Sequence, residues 1–307
     1  MSSRTGPLAP ASRRRMAGRV PDAQPGAPDF GELLKAWRTT RRYSQLELAL
    51  QTQVSQRHLS FLESGRAKPS RQMALHLAQT LLVPLRERNQ LLMAAGFAPV
   101  YPERALESTE MAAIRQALET TLRHHEPFPA LVVDRQWNLV LHNAALDRLI
   151  GLVGSPARVW LRVDPSGRRN LMRLTLHPQG LQPLIFDWPQ TATALMARLQ
   201  NEAQANPANA ALGALLADLR LLPGVPRTMA ADSLPVFQPP VLTLKLQRGK
   251  TTLELFSMIC SFGTAIDLTA DELRLELLFP SDAATAQFLR AGDPRLSTHR
   301  GNSPRVG

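Results

Sequence analysis

Apolar side chains between residues 29 and 98 recur at the spacing of short amphipathic helices. A first helix is predicted from four residues at positions i, i+3, i+4 and i+7, which are Phe30, Leu33, Leu34 and Trp37. Ser44, followed three residues later by Glu47, forms a capping box that predicts the start of a second helix. Ser55, Ser70 and Pro84 precede three more. The pattern therefore predicts about five helices in this segment.

The second and third predicted helices are short and are joined by a short turn. The residues expected to face inward are Leu46, Ala49 and Leu50 on the second helix and Leu59 and Leu62 on the third. Ala49 is small where two crossing helices must approach closely, and Val54 fills the gap between them. This arrangement is typical of a helix-turn-helix, whose second helix enters the DNA major groove.

Spacing then assigns the outward-facing side chains. Gln56, Arg57 and Ser60 are expected at the front of the third helix, with His58 at its edge. Gln can pair bidentately with adenine and Arg with guanine, and each pair provides about 1–3 kcal/mol of discrimination. Helix N-termini and basic loops contact phosphates. The predicted DNA-contacting residues are Gln45, Ser55, Gln56, Arg57, His58, Ser60, Arg66 and Lys68.

Beyond residue 108 the periodicity changes to a mixture of helix and strand. Helices are predicted over 109–124, 143–151 and 190–221, the last broken near Pro207. Alternating apolar residues predict strands, which are Ala130–Val133, Trp137–His142 and the runs 242–247, 253–259 and 273–279. We therefore expect an α+β domain, with one antiparallel sheet of about five strands and helices over a face.

Composition adds a division along the chain. The net charge is +11, and residues 1–104 contain 16 Lys and Arg against 7 Asp and Glu. A basic first third is typical of a segment that meets a polyanion. Residues 1–28 and 291–307 have few large apolar side chains, and we expect both tails to be disordered. The predicted divisions between them are a helical domain at 29–98, a linker at 99–106 and an α+β domain at 107–290.

Several classes of protein are disfavoured. No apolar run is long enough for a transmembrane helix, and no apolar stretch follows the N-terminal Arg residues as in a secretory signal. The single cysteine, Cys260, is interpreted as a core residue and fits a reducing cytoplasm. The His residues lack the spacing of a metal site, and no catalytic motif is recognisable. We therefore predict neither an enzyme nor a bound metal.

The helical segment resembles the Xre/Cro-repressor helix-turn-helix superfamily. The resemblance rests on Ser44-Gln45, Ala49, Val54-Ser55, Leu59, Leu62-Glu63, Gly65 and Pro69-Ser70. One departure is Gln53, at a turn position where the family often has Gly. A non-Gly residue in left-handed backbone costs about 1–2 kcal/mol, so this turn is either strained or differently shaped.

A wider resemblance, to the MmyB-like transcription regulators, spans about residues 29–290. It rests on the segments 57–63, 84–89, 95–99, 125–138 and 170–178 and on Asp187-Trp188. This resemblance implies a C-terminal PAS-like sensor domain with an apolar cavity for a fatty acid or similar small molecule. A single recognition helix per chain further predicts a homodimer on DNA. An alternative is a ligand-free C-terminal module for protein interaction or dimerisation.

The sequence does not single out the ligand-binding residues. Possible wall residues are Trp137, Trp160, Trp188, Phe256 and Met258, although each also fits an ordinary core. Arg162 or Arg173 could meet an acyl carboxylate, but both also fit an exposed surface.

Overall fold

The computed structural model describes residues 29–227, 243–263 and 266–292 of the chain. The predicted N-terminal tail, Leu242 and all but the first two residues of the predicted C-terminal tail lie outside the described residues. The chain divides into two compact units. Among described residues, the first contains 29–83 and 90–99, and the second contains 84–89 and everything from Val100 onward.

The first unit is a helical domain. Four of its helices are α1 (Phe30–Thr40), α2 (Gln45–Thr52), α3 (Gln56–Glu63) and α4 (Arg71–Thr80). A fifth helix, α5 (Leu85–Ala94), has residues in both units. The first four begin at a side-chain cap, provided by Asp29, Ser44, Ser55 and Ser70. Each cap satisfies a backbone N–H that has no partner within its own helix. The five predicted helices are confirmed.

The inward face of α2 differs from the prediction. Leu46 and Leu50 are 53% and 71% exposed, whereas Leu48, Ala49 and Thr52 are buried. Helix α2 carries leucines on more than one side, so its periodicity permits either face to point inward. Packing against α3 and α4 decides which face of α2 is buried. These contacts cannot be read from the sequence of α2 alone.

A glycine allows α1 and α3 to approach closely. A methyl group on Gly31 would lie 2.5 Å from the carbonyl oxygen of Leu62 and 2.7 Å from that of Glu63. The importance of Gly31 could not be predicted from the sequence, because a Gly near the start of a helix gives no sign of which residues pack against it. Leu34, Leu59, Leu62 and Leu77 are fully covered in the core that this packing creates.

The second unit contains one five-stranded antiparallel sheet, as predicted. Its strands are β1 (Ala130–Val133), β2 (Leu139–His142), β3 (Thr243–Arg248), β4 (Thr251–Cys260) and β5 (Arg274–Pro280). Their order across the sheet is β2-β1-β5-β4-β3. The two ends of the domain sequence thus meet at the centre, where β1 pairs with β5 and Leu131 lies opposite Glu276.

Helices cover both faces of this sheet. The alternation of apolar and polar residues along the strands had predicted helices over one face. The helices are α6 (Ala112–His124), α7 (Ala144–Ile150), α8 (Pro156–Val163), α9 (Leu171–Leu176), α10 (Trp188–Ala205), α11 (Ala210–Leu219), α12 (Leu268–Glu272) and α13 (Ala283–Ala291). On one face, α6 packs its Leu118 and Leu122 with Ala130 and Val132 of β1. On the other, α7 to α11 pack against Leu131 and its neighbours.

The interpretation of Cys260 as a core residue was wrong. Cys260 is exposed at the end of β4 rather than buried in a core. It belongs to an apolar run and lies opposite Leu275 of β5, and its neighbours Met258 and Ile259 are exposed as well. No helix among the described residues is long and apolar enough to cross a membrane.

Candidate DNA interface and ligand cavity

The turn between α2 and α3 has a left-handed residue. Gln53 has φ 54° and ψ 32°. The turn could have been either strained or differently shaped, and these angles show that it has the strained, left-handed backbone. The Val54 N–H donates to the carbonyl of Ala49 at 3.0 Å and closes the end of α2. Ser55 then starts α3, because its hydroxyl oxygen accepts from the His58 N–H at 3.2 Å.

A buried carboxylate joins the first three helices. Glu63, at the end of α3, accepts two hydrogen bonds from Arg38 of α1, at 2.6 and 3.0 Å. The Gln45 side chain at the start of α2 donates to the same carboxylate at 2.8 Å. Arg38 also donates to the carbonyl of Tyr43 at 2.8 Å. This Glu63 network fixes the relative positions of α1, α2 and α3.

This network cannot be recognised from local sequence patterns, since its members are separated by up to 25 residues and lie on different helices. It also gives Gln45 a role that spacing did not indicate. The Gln45 side chain is held by Glu63, so this residue presents chiefly its backbone N–H at the start of α2. A charge-assisted bidentate pair such as Arg38–Glu63 is stronger and more directional than a neutral hydrogen bond.

The front of α3 is exposed as the spacing predicts. Ser55, Gln56 and Arg57 are exposed, and His58 and Ser60 are half-buried at the sides. Leu59 and Leu62 point into the core and are 0% and 1% exposed. The polar row and the apolar row therefore occupy opposite sides of α3, which leaves the polar row free to meet a ligand.

Two of the arginines predicted to contact DNA, Arg57 and Arg66, lie against the ring of Phe61. The Arg57 guanidinium lies 5.3 Å from the centre of the Phe61 ring, and that of Arg66 lies 6.0 Å from it. Cation–π contacts of this kind contribute about 0.5–1 kcal/mol at exposed sites. Lys68 is exposed on the loop that follows. This role of Phe61 was not predicted from the sequence.

The second unit encloses an apolar cavity between its sheet and the helices α7, α9 and α10. The apolar walls include Leu131, Leu146, Leu149, Leu174, Leu181, Leu195, Leu255 and Leu278. Ligand cavities in proteins are concave and mostly apolar, with few polar groups. This geometry fits a small apolar molecule.

The structure separates the possible wall residues. Trp137 and Phe256 line the cavity, whereas Trp160, Trp188 and Met258 do not. Of the two Arg candidates, Arg173 donates to Asp218 at 2.5 Å, and Arg162 contacts the carbonyl of Val153 at 3.5 Å. Neither lines the cavity; Arg198 of α10 does.

Trp137 forms part of a charged cluster at one side of the cavity. Its indole N–H donates to Glu202 at 3.0 Å, and the Arg198 guanidinium lies 4.5 Å from its ring centre. Glu202 also accepts from Arg198 at 3.2 Å and from Arg274 at 2.9 Å. Glu202 is therefore fully paired, and its charge is offset by two guanidinium groups.

Glu276 of β5 is the acidic side chain in the cavity wall. Its Oε2 is covered and has no hydrogen-bond partner among the described residues. Glu276 as a whole residue is half-buried. Burial raises the pKa of Glu276 above its ordinary value, against the opposing effects of a hydrogen bond from Ser257 and the charge of Arg198.

Sequence reasoning missed Glu276, although one signal was present. It belongs to the row Arg274, Glu276 and Leu278 on β5, which the alternation placed opposite the apolar row. Leu278 in that row indicates that this face is covered too. With both faces covered, a carboxyl on either row lies inside the domain.

A capped helix-turn-helix with an exposed polar recognition face, joined in one chain to a domain with an apolar cavity, defines a DNA-binding transcription regulator with a ligand-binding domain. Comparison with known families agrees. Residues 34–88 match the helix-turn-helix family, and residues 114–291, more than half of the chain, match the MmyB-like transcription regulator ligand binding domain. The chain therefore belongs to the MmyB-like transcription regulators. No curated protein matches it.

Proposed function

We propose that α3 enters the major groove of operator DNA and that Gln56 and Arg57 discriminate between base pairs. Ser60 and His58 border this contact, and Ser55 keeps a hydroxyl proton that can be donated to a phosphate. Arg66, Lys68 and the backbone N–H groups at Gln45 contact phosphates. The observation that carries the proposal is the exposed polar row of α3, held in place by the buried Glu63 network.

We further propose that the cavity takes a small apolar ligand, fatty-acid-like by family resemblance, and that this ligand changes the affinity for DNA. The leucine-lined walls support an apolar ligand. A ligand alters DNA affinity only if it binds the DNA-competent and incompetent arrangements differently. From the family resemblance we propose that this domain is PAS-like, and its single five-stranded antiparallel sheet with helices is compatible with that proposal. We propose a homodimer that acts in the cytoplasm.

Two substitutions test the DNA contacts. Arg57→Ala should alter sequence preference, because a base contact is lost. Lys68→Ala should weaken binding to all sequences and lower the slope of log affinity against log salt by about one, because a phosphate contact is lost. Binding of both variants to a randomised operator library at several salt concentrations measures the difference. Equal losses across all sequences for both variants would contradict the assigned roles.

The ligand is tested by extracting gently purified protein into organic solvent and analysing the extract by mass spectrometry. A co-purified apolar molecule, present in molar proportion to the protein, supports the sensor. Repeated absence would favour the alternative, a C-terminal domain that serves protein interaction or dimerisation.

A further inference from the structure

A buried ion-pair cluster of the second unit includes none of the residues that line the cavity. Glu87 is 1% exposed and belongs to the part of α5 that lies in this unit. Its Oε1 accepts from Arg135 at 3.2 Å and from Asn206 at 3.0 Å. Arg135 also donates to Glu272 at 2.8 Å, and Arg86 donates to the same carboxylate at 2.6 Å. We call these five residues the Glu87 cluster.

Helix α10 leads from the cavity to this cluster. Thr191, Leu195 and Arg198 line the cavity, and Asn206 is the C-terminal cap residue of the helix. The steps between these positions are four, three and eight residues, so they follow one side of the helix. A molecule in the cavity that displaces α10 therefore also displaces the residue that donates to Glu87.

The turn between β1 and β2 makes a second connection. Trp137 lines the cavity, and Arg135, two residues earlier, binds Glu87. The Asp134 side chain accepts from two backbone N–H groups of this turn, at 2.8 and 2.9 Å, and fixes its shape. A displacement of Trp137 is therefore passed on to Arg135. Both connections from the cavity end at the same carboxylate.

Helix α5 continues from this carboxylate into the first unit. Glu87 lies in the second unit, whereas Leu91 and Leu92 of the same helix are each 1% exposed in the core of the first. That core also contains Leu59 and Leu62 of α3. Successive turns of an α-helix are joined by backbone hydrogen bonds, so a change at Glu87 is carried along α5 to the residues that support α3.

The Glu87 cluster is only partly paired. Three of its atoms, Glu87 Oε2, Arg135 Nε and Asn206 Oδ1, are buried and have no hydrogen-bond partner among the described residues. Most buried polar atoms in proteins have such a partner. A partly paired cluster gives up fewer bonds on rearrangement than a fully paired one, so a small displacement of α10 or of the turn can change its pairing.

We propose that Glu87 couples the cavity to the DNA-binding helices. A molecule that displaces α10 or Trp137 changes the bonds that Asn206 and Arg135 donate to Glu87, and α5 carries this change to the core beneath α3. Glu87 is thus a positioning residue, which is buried and does not line the cavity. This inference rests on the proposed function, in which a cavity ligand alters DNA affinity, and adds the residue through which the effect passes.

The test uses the full chain, an operator selected by the wild type from a randomised library, and two eight-carbon probes, octanoate and 1-octanol. Calorimetry gives the dissociation constant of each probe. Fluorescence anisotropy gives the operator affinity with and without a saturating concentration of the probe. The ratio of these two affinities is the coupling factor, and in the wild type at least one probe should change the affinity about fivefold or more.

Glu87→Met removes the acceptor, and its operator affinities with and without probe should agree within about twofold. Glu87→Gln should keep a larger coupling factor, because the amide oxygen still accepts both bonds. Asn206→Ala removes only the α10 contact, at a half-buried position, and should also lower the factor, so the inference is tested even if Glu87→Met does not fold. A purely structural role of Glu87 would lower both operator affinities equally and leave the factor unchanged.

Glu126→Met is the matched control. The Glu126 side chain is 8% exposed and is paired with Arg148 at 2.6 Å, outside α5 and outside the cavity wall. This variant should keep the coupling factor of the wild type. A wild-type factor in both Glu87→Met and Asn206→Ala, or an equal loss in Glu126→Met, would overturn the inference alone. A wild type that binds neither probe, or that binds one with unchanged operator affinity, would instead contradict the proposed ligand-dependent binding of DNA.

Discussion

At the scale of single residues, Gln53 carries local strain at the helix-turn-helix turn. Its left-handed backbone costs a residue with a Cβ about 1–2 kcal/mol, whereas glycine adopts it freely. Glycine also has more conformational freedom than Gln in the unfolded chain. This lowers the stability of the folded state and offsets part of the gain from relieving the strain. We expect Gln53→Gly to raise the free energy of unfolding by about 0.5–1 kcal/mol. Urea denaturation measures it.

Gln51 provides the control, being the same residue type two positions earlier and exposed within α2. Gln51→Gly should lower the free energy of unfolding by about 1 kcal/mol, because glycine is unfavourable in a helix. The two substitutions should thus have opposite signs. If both destabilise equally, the strain assigned to Gln53 is not present in solution.

Glu276 predicts a pH dependence of stability. Its pKa is raised in the folded state by burial, with Glu202 adding to the effect and Ser257 and Arg198 opposing it. The folded chain therefore holds this proton to higher pH than the unfolded chain, whose Glu titrates near about 4.3. By linkage, the stabilising contribution is present below that value and is lost as the pH rises through the folded pKa.

Denaturation of the wild type and Glu276→Gln across this range isolates the effect. The free energy of unfolding of the wild type, relative to the variant, should decrease as the pH rises from about 4.3 and level off above the folded pKa. Subtracting the variant removes the contributions of all other titrating groups. A difference that rises with pH would mean that the pKa of Glu276 is lowered instead.

At the scale of secondary-structure elements, the crossing of α1 and α3 depends on Gly31. In an exposed helix, Gly→Ala normally stabilises by about 1 kcal/mol. At Gly31 the added methyl would lie 2.5 Å from a backbone carbonyl oxygen, and backbone cannot yield as a flexible side chain does. We expect Gly31→Ala to destabilise by about 1–3 kcal/mol, measured by thermal or urea unfolding.

Gly213 in α11 is the matched control. It is exposed, and a methyl group there meets no atom within 4 Å. Gly213→Ala should therefore stabilise by about 1 kcal/mol. Stabilisation by both substitutions would show that α1 and α3 are farther apart than described.

At the scale of the whole molecule, recognition by one short helix per chain has a consequence for the operator. Because α3 has eight residues, it reaches only a few base pairs, and two copies are expected to bind half-sites about one helical turn apart. Light scattering should show two protomers per operator. Inserting about five base pairs between the half-sites should abolish tight binding, and about ten should restore part of it. A complex with one protomer would contradict the homodimer.

Some features of both units could be predicted from the sequence, and others could not. Caps, periodicity and turn residues are local signals, so the positions of α1 to α5 and the five strands followed from them. The inward face of α2 did not, because Leu46 and Leu48 satisfy the helical pattern equally well. The exposure of Cys260 was also missed, since an apolar run does not show which of its residues other elements cover.

The sequence by itself determined the class of this protein. The helix-turn-helix with its outward polar row and the α+β second domain are encoded by local spacing and capping. Only the tertiary structure decided which groups meet: the Glu63 network across three helices, the close contact at Gly31, and Glu276 inside an apolar cavity. The physical reason is that burial and pairing depend on residues far apart in the chain, and a carboxyl on a strand looks the same in sequence whether solvent or a covering helix faces it.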